Sequence, residues 1–178
     1  MNASVRRSRL ARSVSTLFIV AAAATLTPWV AGASAQSAPR TVRPLQPRGE
    51  RLLAAGIQRS WTFKRLLDEL AQTDIVAYVD LTETGPRGLD GMTTFSGTAG
   101  DVRYVRVWLR PDRIDDHIIA TLGHELQHVL EIARAPQVTS EASLVALYRT
   151  IGRSSNPGRY ETRTAAEAEA RIRAEILR

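Results

Sequence analysis

The chain has 178 residues, of which 24 are Lys or Arg, 18 are Asp or Glu, 3 are His and none is Cys. That length suits one domain with accessories rather than two full domains, and the missing Cys excludes disulfides, thiolate metal ligands and a lipid-modified cysteine anchor. The net charge of +6 is concentrated at the start: residues 1–35 hold four arginines and no acid, which leaves 20 basic against 18 acidic residues, net +2, in the remainder. The basic balance is therefore not read as a nucleic-acid footprint, which requires a basic face on the folded domain, and no nucleic-acid partner is expected.

Arg6, Arg7, Arg9 and Arg12 precede an apolar run over residues 14–30, and Ala33-Ser34-Ala35 follows it. A positive head, an apolar run and an A-x-A end read as a cleaved secretory signal over residues 1–35. A membrane anchor is the alternative, but a run of about 17 residues that contains Pro28 is short for a hydrocarbon core of about 30 Å. The mature protein is expected outside the cytoplasm, periplasmic or secreted, with no stable membrane anchor. Arg6-Arg7 leaves the route open between the general and the twin-arginine pathway.

Residues 36–49 contain Pro39, Pro44, Pro47 and three arginines, and read as a polar, partly extended linker. Residues 50–178 are expected to form one catalytic domain. Residues 50–59 and 60–71 read as two helices, with Ser60 as N-cap of the second. Ile75–Leu81 is rich in β-formers and reads as a strand, residues 83–91 as a Gly-rich loop, and residues 92–96 and Val102–Leu109 as a hairpin joined across residues 97–101. Asp112 or Asp115 can cap a long helix over residues 115–134, which Ala135-Pro136 closes. Residues 140–151 form a further helix. A loop over residues 153–159 follows, with Asn156-Pro157-Gly158 as its turn signal. A last helix runs from Glu161 or Thr164 to Leu177, with Thr164 and Glu167 spaced as a capping box. The order predicts an α+β fold with a small antiparallel sheet. Trp61, Phe63, Tyr78 and Trp108 are expected in the core.

On the long helix, Ile119, Leu122, Leu126, Val129, Leu130 and Ala133 fall within an arc of about 100°, its core stripe. His124, His128 and Glu131 lie within about 60° on the opposite side. Four-residue spacing stacks the two imidazoles so that both reach one ion. Imidazole and carboxylate suit Zn²⁺, held in catalysts by three protein ligands with a position left for water. Glu125, about 100° round the helix from His124, stands beside that water and outside the ligand set. His117 lies almost two turns earlier and reads as polar surface.

The stretch Thr121-Leu122-Gly123-His124-Glu125-Leu126-Gln127-His128-Val129-Leu130 resembles the metal helix of the zincin metallopeptidases. The resemblance implies a zinc peptidase with His124 and His128 as ligands, Glu125 as general base, a peptide or protein substrate, and an edge strand (residues 92–96 or Val102–Leu109) that aligns the substrate. No His lies within residues 131–135, which excludes the metzincin subgroup and leaves the glutamate-liganded zincins.

Four residues compete for the third ligand. Glu131 lies on the metal face but about 7 Å too far along the axis of an intact helix. Glu141 opens the next helix and meets the ion only if that helix crosses the metal helix steeply. Glu161 is reached if the chain doubles back after Pro136, which puts Tyr148 level with the ion and Glu161 close behind; Tyr160 can then add a hydroxyl. Glu167 has a capping role available instead. The count favours Glu161 over Glu141. The leading function is an exported zinc-dependent peptidase, and the alternative is a non-catalytic exported zinc-binding or interaction domain, which would have no use for Glu125 as a base.

Overall fold

The computed structural model describes residues 41–85, 88–156 and 159–178, so the expected export signal over residues 1–35 and residues 36–40 of the linker lie outside the described residues. Eleven elements follow in chain order: Val42–Pro44 (β1), Pro47–Arg59 (α1), Trp61–Leu70 (α2), Ile75–Leu81 (β2), Gly91–Ala99 (β3), Val102–Leu109 (β4), Asp115–Ala133 (α3), Glu141–Ile151 (α4), Arg153–Asn156 (β5), Arg159–Glu161 (β6) and Arg163–Ile176 (α5). None of these helices is long and apolar enough to cross a membrane, among the described residues.

The fold is α+β, but its four-stranded sheet is mixed rather than antiparallel. The strand order is β1-β2-β4-β3, with β1 parallel to β2, β2 parallel to β4, and β3 antiparallel to β4. The cause is the hairpin: β3 goes to the outer edge, and β4 returns between it and β2. Period-two alternation reveals which residues face the core but not which way a neighbour runs. Part of the expected linker is also structured. Val42 is buried and pairs with Ala77, and Pro47 starts α1, where its fixed φ and missing N–H fit the first turn. The hairpin is longer than expected, with a register shift between Phe95 and Gly97, and it turns at Gly100-Asp101 where Gly100 takes φ +58°.

Ser60 caps α2 as the sequence predicts, accepting from the Phe63 N–H at 3.0 Å. The other expected caps differ. Ile114 is the N-cap of α3 and makes no side-chain bond, while Asp115 pairs with Arg48 at 2.7 Å. Thr162, not Thr164, caps α5 by accepting from Ala165 N–H at 3.2 Å. Residues 153–159, read as a loop, supply the hairpin strands β5 and β6, whose turn at residues 157–158 lies outside the described residues.

Strict alternation in β4 buries Arg103, Val105, Val107 and Leu109 and leaves Tyr104, Arg106 and Trp108 half-buried on the other face. Val105, Val107 and Leu109 join a core with Phe63, Leu126, Val129 and Ile172. Trp61 corrects the core expectation, since it is 68 % exposed, with the Arg65 guanidinium 5.0 Å from its ring. Tyr78 and Trp108 are half-buried, so of the four aromatics only Phe63 is core.

α3 is the axis of the molecule. Its expected stripe is buried except for the half-buried Ala133, and Ile118, Ala120, Gly123 and Ile132 are buried too. Its C-terminal carbonyls converge on the buried Arg103 guanidinium, which donates to the oxygens of Ile132, Ala133 and Ala135 at 2.9 Å each and of Val138 at 3.3 Å. Asp74 accepts from Arg103 Nε and Nη2 at 2.7 and 2.8 Å. The guanidinium thus gathers carbonyls of the helix end and of the turn after it, of which Ile132 O and Ala135 O also accept from the Ala135 and Val138 N–H groups at 3.0 Å each, and it fixes α3 against β4.

Candidate metal centre

The rotation of α3 that buries Leu122, Leu126 and Val129 turns His124 and His128 towards a cleft lined by β3, α4 and the β6 strand. Gly123 sets what packs behind them. A Cβ at Gly123 would stand 2.1 Å from Ile172 Cδ1, so the glycine lets α5 press against α3. One turn before Ile172, Glu169 then reaches the first histidine. His124 Nδ1 bonds Glu169 Oε2 at 3.1 Å, and His128 Nδ1 bonds Glu131 Oε2 at 2.9 Å. Glu131 Oε1 accepts in turn from the hydroxyls of Thr162, at 2.8 Å, and Thr164.

These bonds decide the chemistry of the other ring nitrogens. With Nδ1–H donated to a carboxylate, each imidazole in its neutral form presents Nε2 as an acceptor. The two Nε2 atoms are 3.1 Å apart, a separation at which two acceptors repel unless a cation or a proton joins them. Glu161 Oε1 stands 3.5 Å from His124 Nε2. One ligand atom from each of His124, His128 and Glu161 lies within 4.8 Å of the others, so the three residues could hold a single ion. Ligands bound at about 2.0–2.1 Å to one tetrahedral ion stand about 3.3–3.4 Å apart, close to the 3.1 and 3.5 Å separations here, while the remaining pair lies within 4.8 Å.

The local charge favours a cation. Glu125, Glu131, Glu161 and Glu169 surround the two imidazoles. Burial alone would lower the His124 pKa, but the Glu169 bond and the field of Glu125, Glu161 and Glu169 raise it above the ordinary value. The Glu169 carboxyl is held below its usual range chiefly by the His124 bond. Burial would push Glu131 up, and the bonds from His128, Thr164 and Thr162 overcome it and lower it. Glu125 is the opposite case: its burial outweighs the nearby histidines and raises its pKa.

Glu125 sits where β3 passes closest to α3. Its Oε2 accepts from the Thr93 hydroxyl at 2.7 Å, and Oε1 has no hydrogen-bond partner among the described residues. A Cβ on Gly91 would come within 2.7 Å of Glu125 Oε1 and 2.8 Å of Thr121 Cγ2, so only glycine admits the strand at this distance. No protein family, curated protein or solved structure matches the chain. Its chemistry has to be read from the residues themselves.

Of the four acids weighed for a third ligand, Glu161 alone joins the histidine pair. Glu131 lies behind His128, on Nδ1. Glu141 lines the cleft, but its Oε2 accepts from the Phe95 N–H at 3.1 Å. Glu167 is paired with Arg163 and Arg171 at 3.5 and 3.9 Å. The chain has returned to the histidines by Tyr148, whose ring meets His128 edge-on at 5.2 Å and stacks on Tyr160 at 6.4 Å. Tyr160 lines the cleft, with Arg149 Nε donating to its hydroxyl at 3.3 Å. His117 stands apart, 2.8 Å from Asp90, and ties α3 to the start of β3.

Sequence reasoning missed Glu169, Thr93 and the pairing of Thr162 with Glu131. A signal for Glu169 existed: Gly123 beside His124 marks a close helix crossing, and Glu169 precedes the apolar Ile172 by three residues, near one face of the last helix.

Proposed function

We propose that the chain is an exported zinc-dependent hydrolase of peptide bonds, akin to the glutamate-liganded zincins, with His124, His128 and Glu161 as ligands and Glu125 as general base. One observation carries the reading: two imidazoles aim their Nε2 atoms at the same point as Glu161, while their Nδ1 atoms are tied to Glu169 and Glu131. The donor set of two neutral nitrogens and one carboxylate, with no sulfur, suits Zn²⁺ in a catalytic site of three protein ligands. Zinc held there supplies Lewis acidity towards a scissile carbonyl and lowers the pKa of water.

The chain's own groups supply the proton traffic and the alignment. Thr93 holds Glu125 Oε2, so Oε1 is the oxygen that takes a proton from the attacking water and gives it to the leaving amine. The raised pKa of Glu125 makes it a better base than an exposed carboxylate. β3 is the sheet edge beside the cleft, and β4, the other candidate, is internal, so β3 is the strand on which an extended peptide aligns.

The test uses purified mature protein, a peptide library and metal replacement. Hydrolysis that disappears on chelation, returns with zinc and is lost in Glu125→Gln supports the reading. Zinc binding without hydrolysis of any peptide supports a non-catalytic zinc domain instead.

A further inference from the structure

We propose that Glu141 binds the free α-ammonium group of the substrate, which makes the cleft a site for removing one or two residues from the amino end of short peptides. The proposal deepens the hydrolase reading and rests on it.

The edge of β3 supplies the frame. Asp90 O accepts from Arg110 N–H at 2.9 Å, which fixes residues 90, 92 and 94 as the ones whose backbone groups face β4. Gly91, Thr93 and Phe95 therefore turn their N–H and C=O groups outward, where a peptide strand can pair. The outward edge is already closed at one point. Glu141 Oε2 takes the Phe95 N–H at 3.1 Å, so a pairing strand meets a carboxylate there instead of a donor.

Two residues separate that block from the reacting level. Thr93 bonds Glu125, so the scissile bond lies near Thr93. Phe95 is about 7 Å further along the strand, room for one or two substrate residues. A peptide antiparallel to β3 has its amino end towards Phe95, and a parallel one has its carboxyl end there. Charge selects between them. Glu125, Glu141 and Glu161 line the cleft and, among the described residues, no Lys or Arg does, so an ammonium at the blocked end is attracted and a carboxylate repelled. Glu141 opens α4, and its Oε1 has no hydrogen-bond partner among the described residues. That oxygen is available for the ammonium while Oε2 stays on the strand.

The experiment compares one peptide with a free and with an acetylated amino end, on the zinc-loaded enzyme and on Glu141→Gln and Glu141→Ala. A hydrogen bond to a charged group corresponds to a preference of about tenfold or more. The proposal expects at least that preference in kcat/KM for the free amine, products of one or two residues from the amino end, and loss of the preference in both variants through a fall in kcat/KM for the free amine. Equal turnover of the two peptides by the wild type would overturn it, as would internal cleavage of the acetylated peptide after Lys or Arg, or variants that slow both peptides alike. Binding of the same pair to Glu125→Gln separates the two levels. Tighter binding of the free amine without wild-type hydrolysis would sink the hydrolase reading and keep the role of Glu141, whereas equal binding alongside active wild-type hydrolysis would do the reverse.

Discussion

The two halves of α3 solve the problem of buried charge in opposite ways. At the C-terminal end, Arg103 meets four carbonyls and Asp74, and every group at that junction has a partner of the right kind. One turn and more before it, His124 and His128 are equally well tied on Nδ1, yet on the cleft side two ring nitrogens and a carboxylate converge on one point. A buried polar cluster that closes on itself holds a fold together. One that leaves acceptors converging is a seat for a cation. The contrast separates structural from functional charge more sharply than burial does, because Arg103 and His128 are both buried.

The sharpest way to break that contrast is to change chemistry without changing shape. Glu125→Gln should retain zinc and lose about 10²–10⁴-fold in peptide hydrolysis, since the amide cannot take a proton from water. Steady-state kinetics with zinc content measured on the same sample checks this, and wild-type turnover would remove Glu125 from the mechanism.

At the closed junction the effect should fall on stability instead. Arg103→Met removes the donor shared by four carbonyls and leaves Asp74 without its partner, and should cost about 3–5 kcal/mol in denaturant unfolding, with zinc affinity of the folded fraction unchanged. A loss below about 1 kcal/mol would show that the junction is not what fixes α3.

The outer carboxylates should give intermediate effects. Glu131→Gln and Glu169→Gln should each weaken zinc binding by about 10–100-fold. Competition with a chelator measures it. Glu131 should be the more sensitive, being 9 % exposed and held by Thr162 and Thr164, against 26 % for Glu169. Equal affinity in both variants would mean that the imidazoles need no orienting partner.

The smallest effect concerns acid stability. The Arg103 bond lowers the Asp74 carboxyl below its ordinary value, so its contribution is present above the unfolded pKa of about 3.9 and fades as pH falls through the lower folded one. Because the Asp74 side chain is 41 % exposed, solvent screening limits the effect to about 1 kcal/mol or less. Asp74→Asn should flatten the acid limb of a stability-against-pH curve and leave its neutral part with an offset of that size.

The sequence carried the local parts of this molecule and little of the long-range ones. His124, Glu125 and His128 are legible because their relation is fixed by one helix, and the Ser60 cap because it spans three residues. Glu161 was reached by counting helix lengths, a coarse ruler that works because α4 brings the chain back beside His128. The parallel pairing of β2 with β4 left no mark, since side-chain alternation is the same in either direction. β1 was hidden by its length of three residues between two prolines' neighbourhoods, where composition reads as linker. Thr164 was read as a local cap, and a distant carboxylate on α3 claims it instead.

The central claim is that His124, His128 and Glu161 hold one ion. Elemental analysis of the purified mature protein, beside His128→Ala and Glu161→Ala, tests it most directly. The account predicts about one zinc per chain in the wild type, none in His128→Ala and a markedly reduced amount in Glu161→Ala, with all three folded. A folded wild type that takes up no zinc, or a Glu161→Ala variant that keeps its full complement at wild-type affinity, would contradict it.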